Sequence, residues 1–340
     1  LYPRRQRFPL QWRLMLPDPF TNALVLTGPT GSGKTALGLE LAERLGAEIV
    51  SMDSMALYRG MDIGTAKPTR AERSRVPHHL VDVLDPWESA SVAWWLERAA
   101  ACCRAIEARG KRVLFVGGTP LYLKALLHGL FDGPGSDAAL RERLTREAEV
   151  SGPQVLHERL ARVDPAAAAR LHPNDVRRVI RALEVWELTG QPISCRQRQW
   201  PQRKDEGGRR KDEPERLSGS SFLLPPSSFP QILWLDLPRP ELYERINRRV
   251  EEMFAAGLVE EVEGLRHLPH PVSREAAQAL GYKEVFAHLD GQASLAETLV
   301  RVQTRSRNFA KRQVTWFRHL PGCHPVSNRL TRELWDSRIQ

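Results

Sequence analysis

The feature that most constrains the fold is a glycine-rich stretch that directly follows a short apolar run. The run, Ala-Leu-Val-Leu-Thr at 23–27, is typical of a buried parallel strand, and residues 36–45 are typical of a helix. Between them, residues 28–35 match the pattern G-x-x-x-x-G-K-[ST] at every fixed position. A strand, this loop and a helix in that order predict a site for a diphosphate or triphosphate.

The chemistry of phosphate binding explains the spacing of this loop. Glycines let backbone N–H groups converge on phosphate oxygens, and the helix N-terminus adds the positive end of a dipole. Lys34 supplies a full positive charge, and the hydroxyl of Thr35 is placed to bind a phosphate-bound Mg²⁺. The predicted phosphate-binding residues are Gly28, Pro29, Thr30, Gly31, Ser32, Gly33, Lys34 and Thr35.

The rest of the chain predicts an α/β fold, a P-loop NTPase-like parallel sheet flanked by helices, with a mostly helical insertion domain. Further strands are predicted at 48–51, 113–116 and 232–236, and they alternate with helices such as 94–108 and 240–256. Between 137 and 189 the pattern is helical only, with Asp137 and Asn174-Asp175 as candidate helix caps.

These patterns divide the chain into five parts. We predict a loose N-terminal extension at 1–20, an α/β core at 21–132 and 231–320, and a helical insertion domain at 133–200. Residues 201–230 mix charged residues with Gly, Ser and Pro without periodicity, which predicts a mobile loop, and 321–340 are predicted to be a tail.

The charge of the chain favours a polyanionic partner. Lys and Arg number 50 against 41 Asp and Glu, a formal net charge of +9. Part of the excess lies in 301–318, which holds six basic residues and no acidic one. No apolar run approaches the roughly 20 residues of a membrane span, and the four cysteines show neither a disulfide framework nor metal-ligand spacing. We therefore expect a cytoplasmic protein that does not enter a membrane.

Several further segments resemble those of bacterial tRNA dimethylallyltransferases, also called tRNA isopentenyltransferases. They run in order along the chain, which makes them far more specific than the phosphate loop alone. The segments are 51–55, 58–68, 77–80, 116–122, 164–165 with 172–175, 178 with 181–184, 281–284, 304–305, 310–313 and 315–318.

This resemblance implies a function. The enzyme would transfer a dimethylallyl group from dimethylallyl diphosphate to N6 of the adenosine just 3′ of the anticodon, in tRNAs that read codons starting with U, and release diphosphate. The phosphate loop would then hold the diphosphate of this donor, with Mg²⁺ as cofactor. The implied partners are the tRNA anticodon arm and dimethylallyl diphosphate, and we expect a monomer.

The resemblance also implies roles for particular residues. Asp53 would be the general base at the adenine amine, and Thr119, after the Gly117-Gly118 turn, would line the same channel. Arg249, with Arg245 one turn earlier, would reach the diphosphate beside Lys34 and Thr35. The implied tRNA-binding residues are Asp53, Ser54, Met55, Ala56, Thr119, Arg141, Arg177, Arg178, Val179, Ile180, Arg181, Gln278, Ala279, Leu280, Gly281, Tyr282 and Lys283. Family members commonly carry Gln where this chain has Ala56, so direct base contact is not expected there.

Other functions remain open from the residues alone. An adenylate isopentenyltransferase has the same core but needs no long basic insertion. A P-loop nucleoside or nucleotide kinase requires a strand that ends in an Mg²⁺-binding Asp, and 233–236 ends in Asp236. A third alternative is a nucleic-acid-binding protein that keeps the loop without catalysis. His78 and His79 have no spaced Cys or His beside them, so we interpret them as structural.

Overall fold

The computed structural model describes residues 19–130, 133–196, 232–320 and 322–327. Of these, 19–127 and 232–327 form one compact unit, and 128–196 form a second. The division falls between residues 127 and 128, whereas the sequence predicts it between 132 and 133. The predicted charged loop at 201–230 and nearly all of the predicted extension at 1–20 lie outside the described residues.

The first unit is built on a six-stranded parallel sheet, which confirms the predicted fold class. Its strands are β1 Leu24–Thr27, β2 Ala47–Ser51, β3 His78–His79, β4 Arg112–Gly117, β5 Ile232–Leu235 and β6 Cys323–Val326. They lie in the order β3-β2-β4-β1-β5-β6. Because the strands are parallel, their carboxyl ends meet at one edge, where open α/β sheets bind ligands.

Helices connect these strands and cover the sheet. In the first unit they are α1 Lys34–Leu45, α2 Arg70–Arg75, α3 Val92–Ala108, α4 Pro120–His128, α10 Arg239–Ala255, α11 Leu258–Arg266, α12 Arg274–Ala277, α13 Tyr282–Leu289 and α14 Leu295–His319. Those of the second unit are α5 Ala138–Ser151, α6 Pro153–Val163, α7 Pro165–Ala168, α8 Val176–Thr189 and α9 Ile193–Arg196. Among the described residues, no helix is both long and apolar enough to cross a bilayer.

The core of the first unit fixes the end of β2 as well as stabilising the sheet. Trp95 of α3 is fully buried and stacks on Tyr122 of α4, with ring centroids 4.1 Å apart. Burying a side chain of this size contributes at least ~2–3 kcal/mol. The indole Nε1 of Trp95 also donates to the carbonyl oxygen of Ser51, 3.1 Å away. Packing in the core therefore holds the last residue of β2 in place.

The second unit has a core of its own, made by its helices. Leu144, Leu160, Val179 and Leu183 are fully buried there. Asp137 caps α5 as predicted, because its carboxylate accepts from the N–H of Leu140 at 2.9 Å. Asp175 stands at the N-cap position of α8 but makes no side-chain cap bond; its carboxylate pairs with Arg178 instead.

Two strands were not predicted from the sequence. β3 has only two residues, too few for a periodic pattern. β6 lies inside the predicted tail at 321–340, and it pairs with β5 at the edge of the sheet. Its Pro325 lacks an N–H, which an edge strand tolerates because one side makes no ladder bonds. The predicted tail is therefore wrong for Cys323–Val326, which belongs to the sheet.

Candidate active site

A cavity of about 560 Å³ lies at the carboxyl edge of the sheet in the first unit. Lys34 and Thr35 line it from the start of α1, and Asp53 and Thr119 line it from just beyond β2 and β4. Arg249 of α10 lines it as well. The fold therefore brings five residues of the predicted catalytic set to one cavity.

The glycine-rich loop has the geometry of an anion cradle. Gly31 and Gly33 have φ of 79° and 85°, a left-handed conformation that favours glycine. Within the described part of the chain, no backbone acceptor takes up the N–H groups of Gly31, Gly33, Lys34 and Thr35. The hydroxyl of Ser32 is buried and has no partner among the described residues either. Donors left free around a helix N-terminus fit the binding of phosphate oxygens.

Two cations stand beside the loop. The Lys34 ammonium donates to the carbonyl oxygen of Pro29 at 3.3 Å. Burial lowers the pKa of Lys34 to about 8; the carboxylate of Asp53 opposes this fall, and Arg249 adds to it. The guanidinium of Arg249 lies 3.4 Å from the hydroxyl oxygen of Thr30, and burial lowers its pKa too. A diphosphate would relieve the repulsion between the two cations.

Asp53 and Thr119 are held on neighbouring strand ends. The hydroxyl oxygen of Thr119 accepts from the N–H of Ser54 at 3.1 Å, and one carboxylate oxygen of Asp53 accepts from the N–H of Met55 at 2.9 Å. The second carboxylate oxygen of Asp53 has no hydrogen bond within the described chain. A carboxylate fixed through one oxygen, with the other facing a cavity, is suited to accept a proton.

The Gly117-Gly118 turn lines the cavity, and both glycines are required by close packing. A Cβ on Gly117 would lie 2.2 Å from the carbonyl oxygen of Met52, and one on Gly118 would lie 2.7 Å from the amide nitrogen of Gln313. The ends of β2 and β4 therefore touch at Gly117, and this contact keeps Asp53 next to Thr119.

Gln313 is a cavity residue to which the sequence analysis gave no role. It lies on α14 and is only 3% exposed. Its side-chain oxygen accepts from the N–H of Thr30 at 2.9 Å, and its side-chain nitrogen donates to the carbonyl oxygen of Gly118 at 2.6 Å. The motif at 310–313 contains it, but no local pattern indicates that it reaches two distant loops.

Arg245, in contrast, does not line the cavity. Its guanidinium pairs with Glu241 at 2.9 Å, on the same helix α10. Helical spacing places Arg245 and Arg249 on the same side of α10, yet only Arg249 lines the cavity. The structure therefore does not bring Arg245 to the cavity, and its contact with the diphosphate stays a prediction.

The residues predicted to bind tRNA do not all line the cavity. Asp53, Ser54, Met55, Ala56, Thr119, Gln278, Ala279, Leu280 and Gly281 line the cavity. Several of the predicted contacts are buried, with less than a tenth of their surface exposed: Ala56, Val179, Ile180, Ala279 and Tyr282. The segments that resemble the family contain such packing positions as well as residues that can contact tRNA. Lys283 is exposed and donates to the side-chain oxygen of Gln278 at 3.0 Å.

The four arginines predicted to bind tRNA lie in the second unit, and three of them, Arg141, Arg178 and Arg181, are already paired. Arg141 makes a bidentate bond to Glu184, at 2.8 and 2.9 Å, and Arg181 also pairs with this carboxylate. The Glu184 side chain has no exposed surface, and the bonds to the two arginines hold its pKa below the usual value despite burial. Arg177 and Arg178 are exposed. Arg141 and Arg181 therefore hold α5 and α8 together.

The basic segment at 301–318 is also less isolated than its sequence indicates. Arg305 pairs with Glu284 of α13, and Arg318 lies 3.5 Å from the carboxylate of Asp236. Asp236 does not line the cavity, although the residue before it, Leu235, adjoins the phosphate loop, where a Cβ on Gly28 would lie 3.2 Å from Cβ of Leu235. The carboxylate of Asp236 faces Arg318 instead, which weakens the sequence feature that favoured a kinase.

A buried network fixes the loop at 61–68, which resembles a family motif. The Lys67 side chain is 2% exposed, and it donates to Asp62 at 2.9 Å, to Asp82 at 2.6 Å and to the carbonyl oxygen of Tyr58. Glu261 of α11 accepts from the N–H groups of Asp62, Ile63 and Gly64. Because Gly64, Lys67 and Pro68 line the cavity, this network shapes one of its walls.

The side chains that the structure describes do not by themselves form a complete metal site. Among the described residues, no group of three His, Cys, Asp or Glu side chains is placed to hold a metal ion. His79 bonds to Glu48 at 2.7 Å and the Nδ1 of His78 bonds to the carbonyl oxygen of Val76 at 2.8 Å, which fits the structural interpretation. The hydroxyl of Thr35 in the cavity suits an Mg²⁺ whose other ligands are phosphate oxygens and water.

Comparison with known proteins places this geometry in a family. The sequence profile of the IPP transferase family matches residues 56–320, and that of isopentenyl transferases matches residues 21–78. The chain is 48% identical over 298 residues to the tRNA dimethylallyltransferase of Geobacter metallireducens, covering 88% of this chain and 90% of the relative. It is 44% identical over 307 residues to that of Rhodopirellula baltica, covering 88% and 86%.

Solved structures give the same family. The full-length tRNA isopentenylpyrophosphate transferase of Bacillus halodurans matches with a TM-score of 0.60 and 36% identity, over 93% of this chain and 98% of that one. A eukaryotic dimethylallyltransferase acting on tRNA matches with a TM-score of 0.67 and 26% identity, over 93% of this chain and 76% of that one.

Proposed function

The chain belongs to the IPP transferase family, and from that premise we propose that it is a tRNA dimethylallyltransferase. It transfers the dimethylallyl group of dimethylallyl diphosphate to N6 of the adenosine just 3′ of the anticodon, in tRNAs that read codons starting with U. The observation that supports this most is the cavity itself. One space of about 560 Å³ is lined both by the phosphate loop, which follows β1, and by the carboxylate of Asp53, which follows β2 on the far side of β4.

The donor's diphosphate is proposed to lie on the glycine-rich loop. Its oxygens accept from the free N–H groups at the start of α1, and Lys34 and Arg249 neutralise part of the charge. Negative charge grows on the diphosphate as the bond from carbon C1 of the allyl group to oxygen breaks. Hydrogen-bond donors that are already in place before the reaction stabilise that charge without any reorganisation of the site. In many enzymes such electrostatic stabilisation is the largest contribution to the rate enhancement.

The acceptor adenine is proposed to lie between the diphosphate and Asp53. The lone pair of N6 attacks carbon C1, the C1–O bond breaks, and its electron pair leaves with the diphosphate. The free carboxylate oxygen of Asp53 accepts the proton that N6 loses, so atoms and charges balance. Thr119 accepts from Ser54 and so keeps its hydroxyl proton available for a hydrogen bond to the base. An adenine reaches this cavity only after it leaves its stack in the anticodon loop.

Mg²⁺ is proposed to bind with the diphosphate and to be held on the protein side by the hydroxyl of Thr35. When bound, it neutralises charge on the leaving diphosphate. The proposed substrate also suggests where the protein works: tRNA modification implies the cytoplasm of a bacterium. We further propose that the enzyme is a monomer.

A comparison of acceptors tests this proposal. The protein is incubated with dimethylallyl diphosphate, Mg²⁺ and equal concentrations of an unmodified anticodon stem-loop, AMP or adenosine. We expect transfer to the stem-loop only, because the exposed arginines and the basic α14 can act only on a longer RNA. Preferential transfer to AMP would support an adenylate isopentenyltransferase, and ATP turnover that requires a small acceptor would support a kinase; either result overturns the proposal.

A further inference from the structure

The amide of Gln313 joins two parts of the cavity that are far apart in sequence. Thr30 belongs to the phosphate loop, and Gly118 precedes Thr119 at the end of β4. Gln313 accepts from the first at 2.9 Å and donates to the second at 2.6 Å, so both ends of its amide are used. A buried amide with both bonds made has a single favoured orientation, since turning it by 180° would oppose like groups at each end.

The strands alone do not make this connection. The hydroxyl of Thr27 donates to the carbonyl oxygen of Gly117 at 2.7 Å, which fixes β1 to β4 before the loop begins. Beyond that point the loop leaves the sheet, and Gln313 is the side chain that ties it to the Gly118 carbonyl in the described part of the chain. A Cβ on Gly118 would also lie 3.3 Å from Cε of Lys34, so the residue that the amide holds lies beside the lysine stem.

From these contacts we infer that Gln313 is a positioning residue for the transfer reaction. Its bonds set the distance between the diphosphate on the phosphate loop and the Asp53–Thr119 pair that holds the adenine. Arg249 reaches the same segment through the hydroxyl oxygen of Thr30 at 3.4 Å, so a shift of the loop also moves this cation. The inference rests on the proposed function, because it assigns the two ends of the cavity to the two substrates.

The size of the effect follows from the geometry of attack. Carbon C1 and N6 must approach to about 3–3.5 Å in line with the leaving diphosphate, and a misplacement of about 1 Å costs about 100-fold in rate. Loss of the two bonds frees the loop to move by a fraction of this distance. We therefore expect Gln313→Ala to lower kcat about 10- to 100-fold, with the Kd for the tRNA stem-loop changed less than about 3-fold.

A second substitution uses the direction of the two bonds. Gln313→Glu keeps the shape of the side chain and the acceptor for Thr30, but an ionised carboxylate cannot donate to the Gly118 carbonyl. A protonated Glu can do both, and burial favours the protonated form. Lys34 of α1 and Arg249 of α10 at the same cavity favour the ionised form, but kcat reports the complex, in which the proposed diphosphate neutralises these two cations. The kcat of Gln313→Glu relative to wild type is therefore expected to rise at least ~5-fold as the pH is lowered from about 8 to about 6. A merely structural role would not produce this pH-dependent recovery.

Gln303 is the matched control. It lies on the same helix, it is half-buried, and it donates to Glu251 at 3.0 Å and to the carbonyl oxygen of Asn247 at 3.4 Å, but it does not line the cavity. Gln303→Ala is expected to keep wild-type kcat within about 2-fold. Thermal unfolding of all variants is followed by circular dichroism, so that a loss of folded protein is separated from a loss of rate.

The experiment measures kcat, the KM for dimethylallyl diphosphate, and pyrophosphate binding by titration calorimetry. A loss of kcat in folded Gln313→Ala, with Gln303→Ala unaffected and Gln313→Glu recovering at low pH, supports the inference. Equal kcat values for Gln313→Ala and Gln303→Ala overturn the inference. A kcat of Gln313→Glu relative to wild type that does not change with pH overturns it as well. If the wild-type protein binds pyrophosphate yet transfers nothing to any tRNA, the proposed function fails instead, and the two failures are thereby distinguished.

Discussion

The protonation of Lys34 gives a pH dependence that can be worked out from the structure. In the free enzyme, burial lowers the Lys34 pKa to about 8. Lys34 is thus about nine tenths protonated at pH 7 and about one tenth protonated at pH 9. A bound diphosphate restores the Lys34 pKa toward the ordinary value of about 10.4, so the complex stays protonated throughout this range. The affinity for diphosphate should therefore fall about 10-fold between pH 7 and pH 9.

Titration calorimetry with pyrophosphate and Mg²⁺ measures this dependence directly. The kcat/KM for dimethylallyl diphosphate should fall in parallel, because this ratio reports the free enzyme. In the matched variant Lys34→Arg the guanidinium stays charged at every pH used. Its affinity for pyrophosphate is expected to be lower at pH 7, but nearly constant from pH 7 to pH 9. A wild-type affinity for pyrophosphate that does not change up to pH 9, or the same decline in Lys34→Arg, would show that the protonation of Lys34 does not control binding.

Three further predictions concern other parts of the molecule. Asp53→Asn should lower kcat by about 10²- to 10⁴-fold, measured by single-turnover transfer, and should leave tRNA affinity, measured by filter binding, within about 3-fold of wild type. Near-normal turnover would show that Asp53 is not the general base. Lys67→Met should lower the free energy of unfolding, measured in urea, by about 2–3 kcal/mol. This is less than for a fully buried ion pair, because Asp62 and Asp82 are partly exposed. A loss under ~0.5 kcal/mol would show that the Lys67 network does not stabilise the fold. Arg312 is an exposed cation of α14 that lines the cavity, so Arg312→Ala should reduce the slope of log affinity for tRNA against log salt by about 1. An unchanged slope would show that Arg312 meets no phosphate.

Features that depend on local sequence could be predicted. The phosphate loop needs only a strand, glycines at fixed positions and a helix, so its backbone and the parallel strands beside it follow from neighbouring residues. The same holds for the Asp137 cap of α5. Asp53 and Thr119 were proposed through the family resemblance, and the fold brings both to the cavity because parallel strands end at one edge.

Features that depend on distant residues could not be predicted. The segment 301–318 contains no acid, yet Glu284 and Asp236 from other elements lie against two of its arginines. In the same way Glu184, a buried acid on α8, takes up the guanidinium of Arg141 on α5. Gln313 belongs to a polar helix without any local sign of its two partners. In each case the partner is fixed by packing of elements that are far apart along the chain.

The most direct measurement is nucleoside mass spectrometry of tRNA after incubation with the protein, dimethylallyl diphosphate and Mg²⁺. An unmodified tRNA that reads a codon starting with U is compared with one whose adenosine 3′ of the anticodon is replaced by guanosine. We predict one dimethylallyl group on N6 of that adenosine, one pyrophosphate released per transfer, and no product from the guanosine form. Absence of dimethylallyladenosine with folded protein, or transfer to another nucleoside, would contradict this prediction.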